Sequence, residues 1–204
     1  MQGVTLNMEF QDVVRKRRMV RNFTNEPIAP EVLERVIATS QRAPSAGFSQ
    51  GVVFVTVTTP GMKSQVAGIA GEAIYTGGGF DPFISGAAVQ VIVCTSEQRY
   101  HDRYNERDKV NDDGSEIHWP IPYWHTDAGC SVMLLLLAAV NEGLGSAFIG
   151  VPEDPTKLNP LLGIPDEYLP VGIVLLGHAA ADKKSGSLKR GHRPLSDVWH
   201  QEGW

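Results

Sequence analysis

The sequence contains few cysteines, little net charge for its length and no long apolar run. Its 204 residues include two cysteines, Cys94 and Cys130, at a spacing that fits no short metal-binding or redox motif, so we expect buried free thiols without chemistry. A formal net charge of −5 gives no bulk attraction to nucleic acid or to an anionic membrane. The most apolar run, Val132 to Val140, is far shorter than the roughly 20 residues that cross a bilayer.

These absences narrow the classes of protein that the sequence fits. The N-terminus lacks the charged-then-apolar pattern of a secretory signal, and we therefore expect a cytoplasmic protein that binds neither nucleic acid nor membrane. His118 and His125 are not spaced as a zinc pair on one helix, so we expect no metal site. A chain of 204 residues can bury one sizeable core, and residues 1–204 are expected to form a single domain.

The periodicity of apolar residues alternates between helix and strand along the chain. Helical spacing predicts helices at 8–18, from Pro30 to before Pro44, at 62–73, at 126–142 and around 155–162. Runs rich in β-branched residues predict strands at 51–58, at 87–95, in "SAFIG" and in "VGIVLLG". The helix at 126–142 is apolar nearly all round, which predicts a buried central helix that ends at Gly143. The segment from His178 to Trp204 is aperiodic and reads as an extended arm.

A basic cluster lies at the end of the first predicted helix. The stretch "RKRRMVRNF", Arg15 to Phe23, places five cations within seven residues. It is either a solvated helix end or an anion site, because guanidinium groups form charge-assisted and often bidentate bonds to phosphate. A second basic run, "SLKRGHRP", lies far away near the C-terminus.

Five blocks of sequence occur in the order of the signature blocks of one family. They are "RRMVRNF", "APSAGFSQ", "DAGCSVMLLLLAAVNEGLGSAFIG", "LLGIPDEYLPVGIVLLGHA" and "KRGHRPLSDVWHQEGW". The chain thereby resembles, over nearly its whole length, the FMN-dependent nitroreductase family. The resemblance implies an α+β fold with a central, mostly antiparallel sheet flanked by helices. It also implies an obligate homodimer that holds two FMN molecules at its interface and has an extended C-terminal arm.

The resemblance also assigns FMN-binding positions in this sequence. It places Arg17 near the phosphate and Arg21 near the pyrimidine edge of the flavin, where a cation would stabilise the negative charge that reduction leaves. Arg18 is their neighbour, and Arg190 matches a phosphate position that either His192 or Arg193 completes. The remaining implied positions are a loop that reaches the flavin of the other subunit and a backbone segment beside flavin N5: Pro44, Ser45, Ala46, Gly47, Phe48 and Gln50, then Ile149, Gly150 and Val151.

The chain departs from the family pattern at informative places. Met19 replaces a serine that is frequent in the family, which removes one expected phosphate hydroxyl, and Gly51 with Val52 replaces a frequent Pro-Trp pair. The "APSxGF" loop is most similar to that of flavin-cleaving dimethylbenzimidazole synthases. Those enzymes carry an acidic residue at the Met19 position and a serine near Gly150, so flavin cleavage is disfavoured.

Residues 96–125 form an insertion where relatives carry a lid over the flavin. Its aromatic residues can stack on a flat acceptor, and we expect Tyr123 and Trp124 to do so because they lie nearest the central helix. The acidic part of this segment is expected to be a solvated loop.

The function implied by the resemblance is an FMN-dependent oxidoreductase. Hydride would pass from NAD(P)H to the flavin and then to an electron-poor small molecule such as a nitroaromatic, quinone or enone. The alternatives are a non-catalytic flavin-sequestering FMN-binding protein and a flavin-cleaving or deazaflavin-dependent relative. Rapid bleaching of the flavin on mixing with NAD(P)H separates a reductase from a sequestering protein.

Overall fold

The computed structural model of the protein describes residues 8–204. Its centre is a four-stranded sheet in which every neighbouring pair of strands is antiparallel, with the spatial order β1-β2-β4-β3. The strands are β1 (Val52–Val57), β2 (Val89–Thr95), β3 (Gly145–Ile149) and β4 (Leu169–Gly177). All four predicted strands are therefore confirmed; β1, β2 and β4 are rich in β-branched residues, whereas β3 has Ile149 alone.

Eight α-helices flank this sheet in the described part of the chain. They are α1 (Phe10–Lys16), α2 (Pro30–Ser40), α3 (Pro60–Ile69), α4 (Glu72–Gly77), α5 (Phe83–Gly86), α6 (Glu97–Tyr104), α7 (Tyr123–Asn141) and α8 (Leu158–Leu162). Short 3-10 turns occur at Ala46–Phe48, Pro155–Lys157, Gly186–Arg190 and Leu195–Asp197. The α+β class and the sheet flanked by helices are confirmed.

The sheet separates two apolar cores. All seven residues of β2 are buried, and they alternate between the cores: Val89, Val91 and Val93 pack with α2 and α7, whereas Ile92 and Cys94 face the α3 and α5 side. Burial raises the pKa of the Cys94 thiol to about 12, which keeps it protonated and inert. Cys130 is only partly buried on α7, which corrects the expectation that both thiols are buried.

Helix α7 is the central helix that its composition predicts. In the described chain it is the one helix whose length and apolarity would suffice to cross a membrane, but more than half of its most apolar stretch is buried inside the protein. It packs against α2 and the sheet, and Gly143 follows it with a left-handed φ of 77°. The helix begins at Tyr123, three residues before the predicted start.

One helix prediction was wrong, and two helices were not predicted. The helix predicted at 62–73 ends at Ile69, because Gly71 adopts a left-handed φ of 74° and a new helix, α4, begins after it. Periodicity did not indicate α5, or α6 within the 96–125 insertion. The last 21 residues, 184–204, form two 3-10 turns and contain no strand or α-helix, as expected for an arm.

Candidate functional site

The N-terminal basic segment lies along the outer edge of β3. The chain leaves α1 at Lys16 and continues in an extended form, in which Met19 pairs with Ser146 in the parallel direction. The Val20 N–H donates to the Ser146 carbonyl at 2.9 Å, and the Phe148 N–H donates to the Met19 sulfur at 3.3 Å. Arg15 and Lys16 are thus an exposed helix end, whereas the residues from Arg17 to Arg21 lie against the sheet edge.

Alternation along this extended segment sorts its cations onto two sides. Arg18 and Val20 lie on one side, where both line a cavity of 350 Å³. Arg17, Met19 and Arg21 lie on the other side. The two arginines that the resemblance assigns to the phosphate and the flavin edge therefore lie on the same side of the segment.

Asp182 forms an ion pair with Arg18, one cation of the basic cluster. Arg18 Nη1 donates to both Asp182 carboxylate oxygens at 2.7 Å, and the Arg21 N–H donates to Asp182 Oδ2 at 2.9 Å. The Asp182 side chain is only 7% exposed, and its burial raises its pKa, but the hydrogen bonds from Arg18 and Arg21 outweigh that effect and the pKa lies below its usual range. Asp182 thus fastens the start of the arm to the basic segment.

The side chains of Arg17 and Arg21 form no ion pair in the described part of the chain, although the charge of Arg21 acts on Asp182 at longer range. Within residues 8–204, no carboxylate lies within ion-pairing distance of either guanidinium, whereas Arg15 pairs with Asp12 and Arg18 with Asp182. The Arg21 guanidinium lies 5.6 Å from the centre of the Phe80 ring, which orients it without neutralising it. These two cations are available to an anionic ligand.

The chain directly after β3 has open backbone. Ile149 is the last residue of β3 and belongs to the core, and Val151 packs against the same core. Gly150, between them, is exposed, and a Cβ built on it would meet no atom within 4 Å. A ligand can therefore approach the backbone at Gly150 without displacing a side chain.

The loop from Pro44 to Gln50 holds an unusual backbone conformation. Gly47, Phe48 and Gln50 all have positive φ, at 59°, 59° and 52°. The Ser45 hydroxyl accepts a hydrogen bond from the Gln50 N–H at 3.1 Å, and the Phe48 side chain is 72% exposed. Pro44, Ser45, Phe48 and Gln50 line a cavity of 260 Å³ beside β1.

The second basic run stays away from the first within one chain. Arg190, His192 and Arg193 are all exposed, and the Arg193 guanidinium donates to the Asp197 carbonyl at 2.6 Å. In the described chain, no hydrogen bond or ion pair joins Arg190 or His192 to the segment that carries Arg17. The arm also exposes large apolar side chains: Leu188, Leu195, Val198, Trp199 and Trp204.

Comparison with known proteins identifies the family of the chain. The model of the family described as Nitroreductase matches residues 14–178, from the end of α1 to just beyond β4. The chain belongs to the nitroreductase family. The resemblance to this family is thereby confirmed, although the fifth block, at 189–204, lies outside the matched residues.

Relatives and solved structures of the nitroreductase family agree over most of the chain. A Bacillus subtilis (strain 168) protein named FMN reductase (NAD(P)H) is 30% identical over 190 residues, which are 91% of this chain and 70% of that protein. The structure of B. megaterium NfrA2 superposes with a TM-score of 0.76 at 24% identity, over 97% of this chain and 76% of that one. The crystal structure of nitroreductase A from Vibrio parahaemolyticus gives a TM-score of 0.74 at 25% identity, over 97% and 78%.

The insertion packs its aromatic residues into one cluster. The Trp119 ring lies 4.5 Å from Tyr104 and about 6 Å from Tyr100 and Trp124, measured between ring centres. Trp124 is 8% exposed, whereas Tyr123, at the first position of α7, is 38% exposed. Of the two residues predicted to contact the acceptor, only Tyr123 reaches solvent without a rearrangement of the cluster.

A charged network fastens the loop of the insertion to α6. Glu116 Oε1 accepts the Trp119 indole N–H at 2.6 Å and lies 2.6 Å from His101 Nδ1. The hydrogen bond to Glu116 outweighs burial and raises the pKa of His101, while Glu97 approaches the other ring nitrogen at 3.4 Å. Residues 105–108 and 111–115 are nevertheless exposed, as expected for a solvated loop, and Glu116 is the partly buried acidic residue of this stretch.

Sequence reasoning missed the residues that hold the Pro44–Gln50 loop. Asp127 on α7 is 7% exposed, and its Oδ2 accepts hydrogen bonds from the Ala46 N–H and the Tyr100 hydroxyl, each at 2.8 Å. Arg103 donates to the Gly47 carbonyl at 2.9 Å. A charged residue in a helix that is otherwise apolar was the one signal that could have indicated such a role for Asp127.

Proposed function

We propose that the protein is an FMN-dependent oxidoreductase that takes hydride from NAD(P)H and delivers it to an electron-poor small molecule. The observation that carries the proposal is the pair of cations without an ion-pair partner in the described chain, Arg17 and Arg21, together with the open backbone at Gly150. The chain presents this arrangement in a family that includes the FMN reductase from Bacillus subtilis. Bound FMN would supply two-electron hydride chemistry at its N5 atom.

The residues present fit this cofactor. An FMN phosphate is a near-dianion that needs cations without acidic partners, and Arg17 provides one at the end of α1. Arg21, oriented by Phe80, would supply positive charge near the pyrimidine edge. The backbone of Ile149, Gly150 and Val151 would lie beside N5. Arg18 contributes less, because Asp182 already binds its guanidinium.

The second half of the cofactor site is supplied by a homodimer in this proposal. Arg190 with His192 or Arg193 would complete the phosphate contacts, and Pro44 to Phe48 would reach the flavin of the other subunit. The exposed apolar side chains of the arm support a partner that covers them, as do the exposed Phe10 and Val14 of α1 and Met133 of α7. A second copy of the chain would also cover the exposed ring of Phe48.

The acceptor would bind beneath the 96–125 insertion. Tyr123 is the aromatic side chain that can contact it directly, whereas Trp124 would do so only if the aromatic cluster opens. Aromatic stacking contributes on the order of 0.5 to 1.5 kcal/mol beyond area burial, so Tyr123→Ala should raise the KM of an aromatic acceptor several-fold at unchanged flavin content. We also propose that the protein works in the cytoplasm, where NAD(P)H is available, and without a membrane partner.

The deciding experiment mixes the purified flavin-loaded protein with NADH and with NADPH in the absence of oxygen. Rapid bleaching of the flavin absorbance, followed by reoxidation on addition of a quinone or nitroaromatic, is expected. A protein that binds FMN but stays oxidised with both nucleotides would be a flavin-sequestering protein or would depend on another reductant. A protein that binds no FMN would remove the basis of the proposal.

A further inference from the structure

The Ser45–Gln50 loop is held in a conformation that its sequence does not favour. Glycine adopts positive φ readily, but Phe48 and Gln50 do so only at a cost in conformational free energy. Since Phe48 is also 72% exposed, burial of its own ring does not offset that cost within the chain. Hydrogen bonds within the loop, such as that from the Gln50 N–H to Ser45, offset part of the cost, and contacts from other elements add to them.

One face of α6 provides those contacts. Tyr100, Arg103 and Tyr104 are spaced by three and four positions, so they lie on the same side of the helix. The Tyr100 hydroxyl reaches Asp127, which in turn binds the Ala46 N–H, and Arg103 binds the Gly47 carbonyl. A Cβ at Gly47 would lie 2.6 Å from the Tyr104 ring, so that ring rests directly on the loop backbone.

The helix that makes these contacts is itself rigidly anchored. Tyr100 is fully buried, and Arg103 is also bound to Asp108 through both of its terminal nitrogens at 2.7 and 2.8 Å. His101, on another face of α6, is held by Glu116. The insertion therefore supports the loop. We call Tyr100, Arg103 and Asp127 the brace; Asp127 lies where the insertion, the loop and α7 meet.

We propose that Asp127 is a positioning residue that, with Tyr100 and Arg103, fixes the left-handed loop and thereby the presentation of Phe48 to the acceptor side of the neighbouring subunit's site. The presentation of Phe48 rests on the proposed function, whereas the bracing of the loop does not. The insertion then controls acceptor binding through the loop as well as through its own aromatic residues.

Hydrogen exchange of the loop amides tests the brace independently of any activity. Tyr100→Phe removes one hydroxyl from a buried ring, and Asp127→Ala removes the shared acceptor. Both should accelerate exchange in peptides that cover residues 44–50, by about tenfold for the loss of a hydrogen bond to a charged group. Tyr75→Phe is the matched control, because the Tyr75 ring packs against Phe83 on the far side of the sheet. Asp127→Asn, which keeps an oxygen acceptor, should restore slow exchange.

Kinetics of the flavin-loaded protein test the positioning role. In Tyr100→Phe the KM of the acceptor, with rates expressed per bound flavin, should rise several-fold, whereas in the Tyr75→Phe control it should stay unchanged. Loop exchange that is unchanged in both Tyr100→Phe and Asp127→Ala would overturn the brace, and so would exchange in Asp127→Asn as fast as in Asp127→Ala. Faster loop exchange with an unchanged acceptor KM would overturn the role in acceptor binding. If NAD(P)H reduces no flavin in the wild-type protein, the proposed function fails, and the exchange data still decide the brace.

Discussion

The two basic runs of this chain differ sharply in how the fold treats them. The first, Arg15 to Phe23, lies against the sheet edge. The Val20 N–H donates to the Ser146 carbonyl of β3, and the Val20 side chain is buried. The second, around Arg190, lies on an arm in which every residue from Gly186 onward is exposed. If the two runs bind one anion, a single chain holds the segment of Arg17 against its own sheet and leaves Arg190 on an arm outside both cores.

This difference indicates what each half depends on. The position of Arg17 follows from the core of its own subunit and should survive in a monomer. Arg190 needs an external surface to fix it, and the exposed leucine, valine and tryptophan side chains around it indicate that this surface is apolar. Changes to the two runs should thus have different consequences for association and for cofactor binding.

Removal of the arm should have the largest effect. A chain that ends at Lys183 loses Arg190 and the apolar contacts of the proposed dimer together. We expect a monomer in light scattering, in place of a species of twice the 22.2 kDa chain mass. FMN affinity should fall by at least about 3 kcal/mol, the equivalent of two charge-assisted hydrogen bonds.

The truncated chain has an internal control. Because the removed residues are exposed and belong to neither core, its circular dichroism spectrum should keep the helical signal of the full chain. A folded, truncated dimer that binds FMN as tightly as the full chain would show that the arm has no part in the site.

Single substitutions compare the two runs directly. Arg17→Ala and Arg190→Ala should each weaken FMN binding by roughly 1.5 to 3 kcal/mol if each makes a charge-assisted bond. Arg15→Ala and Lys189→Ala are the matched controls, since they remove neighbouring cations that have no assigned role. Titration of the apoprotein with FMN measures all four variants.

The double variant sharpens this comparison. If both arginines bind one phosphate, the two losses should not add, because contacts to a shared group are coupled. Strict additivity would place them at separate anions, and unchanged affinity in both single variants would show that the phosphate contacts are misassigned.

The sequence predicted the sheet better than it predicted the contacts around the loop. A strand such as β2 is a nearly continuous run of apolar residues, and this composition predicts burial on both faces. Helix α6, "EQRYHDRY", has few apolar residues, and its buried face consists of Tyr100, whose partner Asp127 lies 27 residues further along the chain. The bond from Ala46 to Asp127 spans 81 residues. Periodicity within a short window carries no information about such pairs.

Asp182 provides the smallest and most specific test of how the first run is held. Its carboxylate binds Arg18 and the Arg21 backbone, so Asp182→Asn should lower the free energy of unfolding at neutral pH by about 1 kcal/mol, because the amide keeps one acceptor but loses the charge.

The pH dependence of that loss tests whether charge is its cause. The pKa of Asp182 in the folded protein lies below its ordinary value of 3.8, so its charge stabilises the fold above that value. This contribution is lost as the pH falls from about 3.8 through the lower pKa of the folded state. Urea unfolding of both proteins should therefore show a difference at neutral pH that shrinks steadily in acid. A difference that stays constant in acid would mean that the amide disturbs packing, and that the basic segment does not need the carboxylate charge to stay on β3.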